Sequence, residues 1–362
     1  MLVEEFQPRY GIPAVKKAST TRNSNPLSSI QKMKSFWLRG SCVIILALLG
    51  SGGAAPILAA EDPAVSAKPT FTVPEMEAGK PLRIVAYGDM RFTTPENTAD
   101  TNPKVRKWLV ERVADEKPDV LLLSGDLPFH GSNDDDWEQY RRETAPWRKA
   151  GLRIFTTIGN HEISTNRDKG LENYFANFPE LQGNRWYSVL MGNVYLIALD
   201  SIEPCSPGTA QRDWLQAQLA HLPAQVDFVF FLSHMPLMAD VQSQIVVHLP
   251  APEQAELRDF VEEESRKAHA KFVVVNGHIH NYERFEHSGV SYLVTGGGGA
   301  KPYPILVRGD QDKYQLPGFP NFHYLVITVD GKHASGVMYR VENPDTENLT
   351  VEHKDSFTLD AK

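Results

Sequence analysis

Cysteine is nearly missing: there are two in 362 residues. Cys42 lies in an N-terminal apolar stretch whose removal would leave Cys205 alone, so no internal disulfide frames the fold and ordinary packing must hold it. Excess positive charge is missing as well. Lys and Arg number 37 against 45 Asp and Glu, a formal net charge of −8. That excludes a global field for nucleic acid, so any phosphate must be gripped locally, by metal ions or individual cations. Long apolar runs are also lacking. The apolar core after Ser41 is about ten residues long, against the ~20 that a helix needs to cross a bilayer.

That core belongs to a recognisable arrangement. From Met33 the chain reads Met-Lys-Ser-Phe-Trp-Leu-Arg-Gly, then the apolar stretch, then small residues ending at Leu58-Ala59-Ala60-Glu61. A basic start, a short apolar centre and a small-residue exit describe a secretory signal peptide. Residues 33–60 are therefore expected to be a signal peptide, or an anchor if uncleaved, and the mature chain periplasmic or secreted with no other stable membrane contact. Residues 1–32 are polar and patternless, as in a disordered extension or an over-extended start with translation beginning at Met33. Residues 61–80 are rich in Pro, Ala and Glu and are expected to be a linker. The folded domain is placed at 81–345 and a C-terminal tail at 346–362; an apolar content of 41% supplies a large core.

Within the domain, strand and helix patterns alternate. Apolar runs predict strands at Leu82–Tyr87, Asp119–Ser124, Ile154–Ile158, Phe228–Leu232 and from Phe272 to Asn276. Helical spacing predicts helices at Pro103–Asp115 with Asn102 as N-cap, Asp134–Lys149 with an acidic start, Thr209–Leu222 and Pro252–Ala268. Tyr187–Ser201 reads as a hairpin around Gly192-Asn193. Short strands at Ser291–Thr295, Tyr324–Val329 and Gly336–Val341 close the domain. This order argues for α/β layering, with two sheets face to face and helices outside.

Five of the predicted strands end in residues that bind metals. They carry Asp89, Asp126, Asn160-His161, His234 and the pair His278/His280, whose spacing in an extended segment puts both imidazoles on one side. Carboxyl ends of strands in layered α/β folds share one crevice, so the five loops can converge. Oxygen donors mixed with imidazoles suit Mn, Fe or Zn, and so many donors exceed what one ion takes. Two ions sharing a carboxylate is the economical solution.

In this order, Gly-Asp, Gly-Asp, Gly-Asn-His-Glu, a strand-ending His and Gly-His-x-His resemble the calcineurin-like metallophosphoesterase superfamily. The run Gly-His-Ile-His-Asn-Tyr-Glu-Arg ending at Arg284 is similar to its purple acid phosphatase branch. The resemblance, over Arg83 to Thr295, implies a four-layer αββα sandwich of two mixed β-sheets with helices outside. It implies two divalent or mixed-valence ions of Fe, Mn or Zn. Asp126 would bridge them, Asn160, His234 and His278 would complete the second, and Asp89 and His280 would hold the first. His161 would contact the phosphoryl group or protonate the leaving oxygen, with Glu162 holding it in place. Such a pair clamps an in-line displacement and lowers the pKa of a bound water toward ~7.

Two positions depart from the family. Most of the superfamily has His where this chain has Arg91, and the purple branch has Tyr where it has Phe129; neither replacement can donate a lone pair to a metal. The first ion site is therefore expected to be weak or completed by waters, and the charge-transfer colour is not expected. If the segment after Gly88 is extended, Arg91 shares a face with Asp89 and either forks onto phosphate or pairs with that carboxylate. His130 is read as a loop histidine, and Tyr282 and Arg284 as cleft walls or as packing residues. The implied function is an exported phosphoric ester hydrolase acting on a small phosphorylated substrate, monoesters ahead of diesters. The alternatives are a phosphodiesterase for nucleotides or lipid head groups, a single-ion hydrolase, and a binding protein on the same scaffold.

Overall fold

The computed structural model describes residues 67–74, 76, 80–240, 251–305, 308–316 and 319–362. The expected signal segment and the extension before it lie outside these residues. Among them, no helix is long and apolar enough to cross a membrane.

The strands are β1 (Phe71–Thr72), β2 (Leu82–Tyr87), β3 (Val120–Leu123), β4 (Arg153–Thr156), β5 (Tyr187–Met191), β6 (Val194–Ala198) and β7 (Phe228–Ser233). They continue with β8 (Lys271–Asn276), β9 (Tyr282–His287), β10 (Val290–Thr295), β11 (His323–Asp330), β12 (His333–Glu342) and β13 (Thr350–Asp360). The helices are α1 (Pro103–Asp115), α2 (Asp134–Glu143), α3 (Ala145–Lys149), α4 (Arg167–Asn177), α5 (Ala210–Ala220) and α6 (Pro252–Lys267). One sheet has the order β1-β5-β6-β7-β8-β10-β9 and the other β13-β12-β11-β2-β3-β4. Both are mixed. The strands that carry candidate ligands run parallel to one another within each sheet: β2 with β3, β3 with β4, and β7 with β8.

Strand alternation divides the core into layers. In β7, Phe228, Phe230 and Leu232 join the same cluster as Ile84 and Leu122 of the other sheet. Val229 and Phe231 point the opposite way, to Leu215 of α5 and to Leu257 and Val261 of α6. β8 repeats the division, with Val273 and Val275 between the sheets and Phe272 and Val274 under the helices. Both faces of these strands are covered, which explains their unbroken apolar runs. The αββα layering follows from this arrangement.

Several expected boundaries change. Asn102 caps α1 as expected, accepting from Val105 N at 3.0 Å. The single helix expected at 134–149 is divided into α2 and α3, because Pro146 has no N–H to continue the first helix and its ring crowds the preceding turn. Helix α4 lacked a clear apolar stripe in the sequence, and Asn166 caps it by accepting from Lys169 N at 3.1 Å. The segment expected as a tail carries β13, eleven residues paired antiparallel with β12. β13 is mostly half-exposed or exposed, so it has little of the apolar alternation that marks a strand. The expected linker contributes β1, whose two residues pair with β5.

Candidate metal centre

Each candidate ligand follows the carboxyl end of a strand: Asp89 after β2, Asp126 after β3, Asn160 after β4, His234 after β7, and His278 and His280 after β8. The loops are stitched together by backbone bonds. Asp89 N donates to Gly125 O at 3.0 Å, Arg91 N to Asp126 O at 3.0 Å, and Gly277 N to His234 O at 3.0 Å. Close approach depends on glycine at two points. A Cβ on Gly159 would lie 2.4 Å from Asp126 Oδ1, and one on Gly277 would lie 2.5 Å from Asp89 Oδ2. Asp89, Arg91, Asp126 and His278 all have positive φ, between 51° and 68°. Side chains rarely adopt that conformation, and it costs about 1–3 kcal/mol per residue where surrounding structure enforces it.

The loops bring their donors together. Donor atoms of Asp89, Asp126 and His234 all lie within 4.8 Å of one another, and all three residues are fully buried. His234 Nε2 lies 3.0 Å from Asn160 Oδ1, 3.2 Å from His278 Nδ1 and 3.3 Å from Asp126 Oδ1. His234 Nδ1 donates to Ser124 O at 2.8 Å, which turns Nε2 toward the donor atoms of the other loops. A cation resolves that arrangement.

His280 shows the same arrangement. Its Nδ1 donates to Lys301 O at 2.6 Å, and Nε2 lies 3.5 Å from Asp89 Oδ1, buried and without a hydrogen-bond partner. A backbone carbonyl that fixes the tautomer in this way is the usual support of a metal-binding imidazole. Burial, helped by the Arg91 charge, pushes the His280 imidazole down to about 3, so it presents a neutral lone pair. The residues present therefore fit metal ions. Asp126, Asn160, His234 and His278 would hold one, and Asp89, Asp126 and His280 the other.

The two carboxylates differ. Burial raises Asp89 to about 7, with the negative Asp126 adding to the rise and His234 and Arg91 opposing it. Burial also acts to raise Asp126, but His234, His161 and Arg91 outweigh it and hold that carboxyl well below the usual range.

Arg91 reaches the centre by a route other than the expected one. Its backbone is left-handed rather than extended, and its Nη2 lies 3.3 Å from Asp126 Oδ2 instead of pairing with Asp89. Its Nε is buried without a partner. The expected role of Glu162 also changes. Its carboxylate accepts from Gly159 N at 2.7 Å, Leu127 N at 2.8 Å and Asp126 N at 3.0 Å, and so ties two ligand loops together. His161 is oriented instead by Phe129 O, 2.5 Å from Nδ1, with Nε2 3.9 Å from Asp126 Oδ2.

Three other expectations can be placed. His130 lies with Nδ1 3.4 Å from Ser164 Oγ. Tyr282 and Arg284 bond to Asp355 of β13, at 2.9 Å for the phenol and 2.7 and 3.0 Å for the guanidinium, so they fasten the two sheets. Tyr303 was not anticipated. It stacks on His280, with centroids 4.3 Å apart and rings 12° from parallel. The sequence signal was slight: an aromatic between Pro302 and Pro304, after a glycine run that reads as a flexible turn.

Buried donors at the ends of parallel strands in a layered sandwich define a metallophosphoesterase-type centre. The family model for calcineurin-like phosphoesterases matches residues 82–282, more than half of the chain, and the chain belongs to that family. Within it, the chain is similar to purple acid phosphatases. Purple acid phosphatase 21 of Arabidopsis thaliana is 27% identical over 243 residues, covering 60% of this chain and 50% of that protein. A nucleotide pyrophosphatase/phosphodiesterase of Hordeum vulgare is 24% identical over 264 residues, covering 66% of this chain and 69% of that one. Among solved structures, a purple acid phosphatase from yellow lupin (Lupinus luteus) seeds superposes with a TM-score of 0.61 at 20% identity, covering 78% of this chain and 54% of that chain. The chain thus spans about half the length of the purple acid phosphatases it matches.

Proposed function

We propose that this chain is an exported, metal-dependent phosphoric ester hydrolase acting on small phosphate monoesters. The observation that carries the reading is the pair of imidazole nitrogens, His234 Nε2 within 3.3 Å of donor atoms of Asn160, His278 and Asp126, and His280 Nε2 buried beside Asp89 without a hydrogen-bond partner. Two ions bound there would supply Lewis-acid polarisation of the phosphoryl group and a more acidic water.

The chain's own residues divide the remaining work. Arg91 lies beside Asp126 with an unused buried Nε–H, and its guanidinium binds phosphoryl oxygens as charge builds on them. His161 is held through Nδ1, so its Nε2 faces the site and, when protonated, donates to the phosphoryl or leaving oxygen. Glu162 fixes the Asp126 and Gly159 loops that carry both sets of ligands.

The first test is a screen of aryl monoesters and diesters with the mature domain loaded separately with Mn, Fe and Zn. The proposal expects turnover that needs metal and is faster on monoesters. The match to the barley phosphodiesterase motivates a second reading, diester hydrolysis, which a reversed preference would support. Tight metal binding with no turnover on any ester would point to a binding protein on the same scaffold.

A further inference from the structure

His161 stands at the rim of the candidate centre with two other rings beside it. Its Nε2 lies 3.9 Å from Asp126 Oδ2, and its Nδ1 lies 2.5 Å from Phe129 O. Between centroids, the Phe129 ring is 5.7 Å from the His161 ring and 4.4 Å from that of His130. The His130 and His161 rings are 6.5 Å apart and 17° from parallel. Asp126 and Leu127 are fully buried, whereas Phe129, His130 and His161 are only half-buried, so the three rings form one partly exposed patch beside the centre.

Backbone and hydroxyl contacts fix that patch. Phe129 N donates to Phe92 O at 2.9 Å, His130 N to Asp136 Oδ2 at 2.8 Å, and Gly131 N to His161 O at 2.7 Å. Ser164 Oγ joins the two imidazole residues, donating to His161 O at 2.9 Å and lying 3.4 Å from His130 Nδ1. Phe129 has no hydroxyl, so its side chain can offer a ligand only an aromatic surface.

The place of the patch decides what it would meet. In an in-line displacement the leaving oxygen departs opposite the attacking water, and the group that protonates it stands on that side. With His161 in that role, the organic part of the ester passes the His161 ring and meets Phe129 and His130. Aromatic rings attract one another at centroid separations of about 4.5–7 Å, so a flat aromatic group gains contacts there that a small polar alcohol does not.

We infer that Phe129 and His130 form the wall that receives the organic group and select phosphate esters of aromatic alcohols. The inference rests on the hydrolase reading and adds to it the class of alcohol.

The test is isothermal titration calorimetry of benzylphosphonate and methylphosphonate with the metal-loaded mature domain, as wild type, Phe129→Ala, Phe129→Leu and His130→Ala, beside turnover of aryl and alkyl phosphates. Both phosphonates carry the same anionic head and neither has a leaving group, so their affinity ratio reports the organic part alone. Wild type should bind benzylphosphonate about 5-fold or more tighter, the scale of one or two aromatic contacts. Phe129→Ala and His130→Ala should each lower that ratio about 3-fold, with methylphosphonate affinity and bound metal within about 2-fold of wild type. Phe129→Leu keeps apolar bulk and loses the ring, and should shift the ratio in the same direction. A wild-type ratio near 1 would overturn the inference, as would a ratio that all three variants keep. A preference lost instead in Phe319→Ala would place the organic group in the cavity of about 980 Å³ lined by Lys301, Pro302 and Phe319, and would equally overturn it. Ester turnover with no aryl preference in binding would leave the hydrolase reading standing and remove the wall. An aryl preference that follows Phe129 and His130 in a protein without turnover would refute hydrolysis and support the wall.

Discussion

Replacing Glu162 by Gln changes one atom in the tie between two ligand loops. The carboxylate accepts three backbone N–H bonds, two on Oε2 and one on Oε1, and the residue is fully buried. Gln offers one acceptor oxygen. If that oxygen keeps the bonds to Asp126 N and Gly159 N, the new amide group meets the N–H of Leu127, donor against donor. A buried group left unsatisfied costs about 1–3 kcal/mol, and the lost charge weakens the two bonds that survive, so the total is about 2–4 kcal/mol. In a domain of this size that lowers Tm by roughly 5–15 °C. Because both tied loops carry ligands, metal affinity should fall too. Differential scanning calorimetry and metal titration on the alkaline side of about pH 8, where the Glu162 carboxyl is ionised, make the test. Burial, then the negative Asp126, push the Glu162 carboxyl up to about 8, against the pull of its three N–H donors. A Gln variant with unchanged Tm and metal affinity would mean that a neutral group serves equally well, and the account of a charged tie between loops would be wrong.

Other perturbations probe neighbouring parts. Arg106 is fully buried, forms a two-point contact with Glu143 at 2.9 and 2.7 Å, and donates to Arg91 O at 3.0 Å; Arg106→Ala should cost about 3–5 kcal/mol by leaving the Glu143 carboxylate, 7% exposed, without its counter-charge and with Gln139 as its remaining partner, read by urea unfolding. Gly159→Ala places a methyl 2.4 Å from Asp126 Oδ1 and should cost about 1–3 kcal/mol in calorimetry, together with a clear loss of bound metal. Removing the ions with a chelator should lower Tm, since free ion at ~1,000 times its Kd stabilises by about 4 kcal/mol per site; a Tm indifferent to chelator and to added Mn or Zn would count against a built site.

The ligand positions were legible because buried parallel strands show as unbroken apolar runs, and their loops begin with glycine where a neighbouring carboxylate comes close. Gly159 and Gly277 are the clearest cases. The convergence of Asp89 with His280 came from the order of the motifs, since 190 positions separate them. What the sequence concealed lies mostly in backbone atoms. His161 is oriented by the carbonyl of Phe129, His280 by that of Lys301, and Glu162 serves backbone N–H groups instead of the neighbouring imidazole. Residue identity does not encode such partners. The path of Arg91 was misjudged for a related reason: Asp89 and Arg91 both adopt left-handed φ, where the alternation of an extended strand does not apply. Strand β13 was hidden because an edge strand with one half-covered face has little apolar pattern to show.

The central claim, that loops from five strands assemble one metal centre, is tested most directly by anomalous diffraction from crystals of the mature domain grown with Mn. The account predicts two metal peaks in contact with Asp126, one also touching Asn160, His234 and His278 and the other Asp89 and His280. No peak at these residues, under conditions where the protein binds metal in solution, would contradict it.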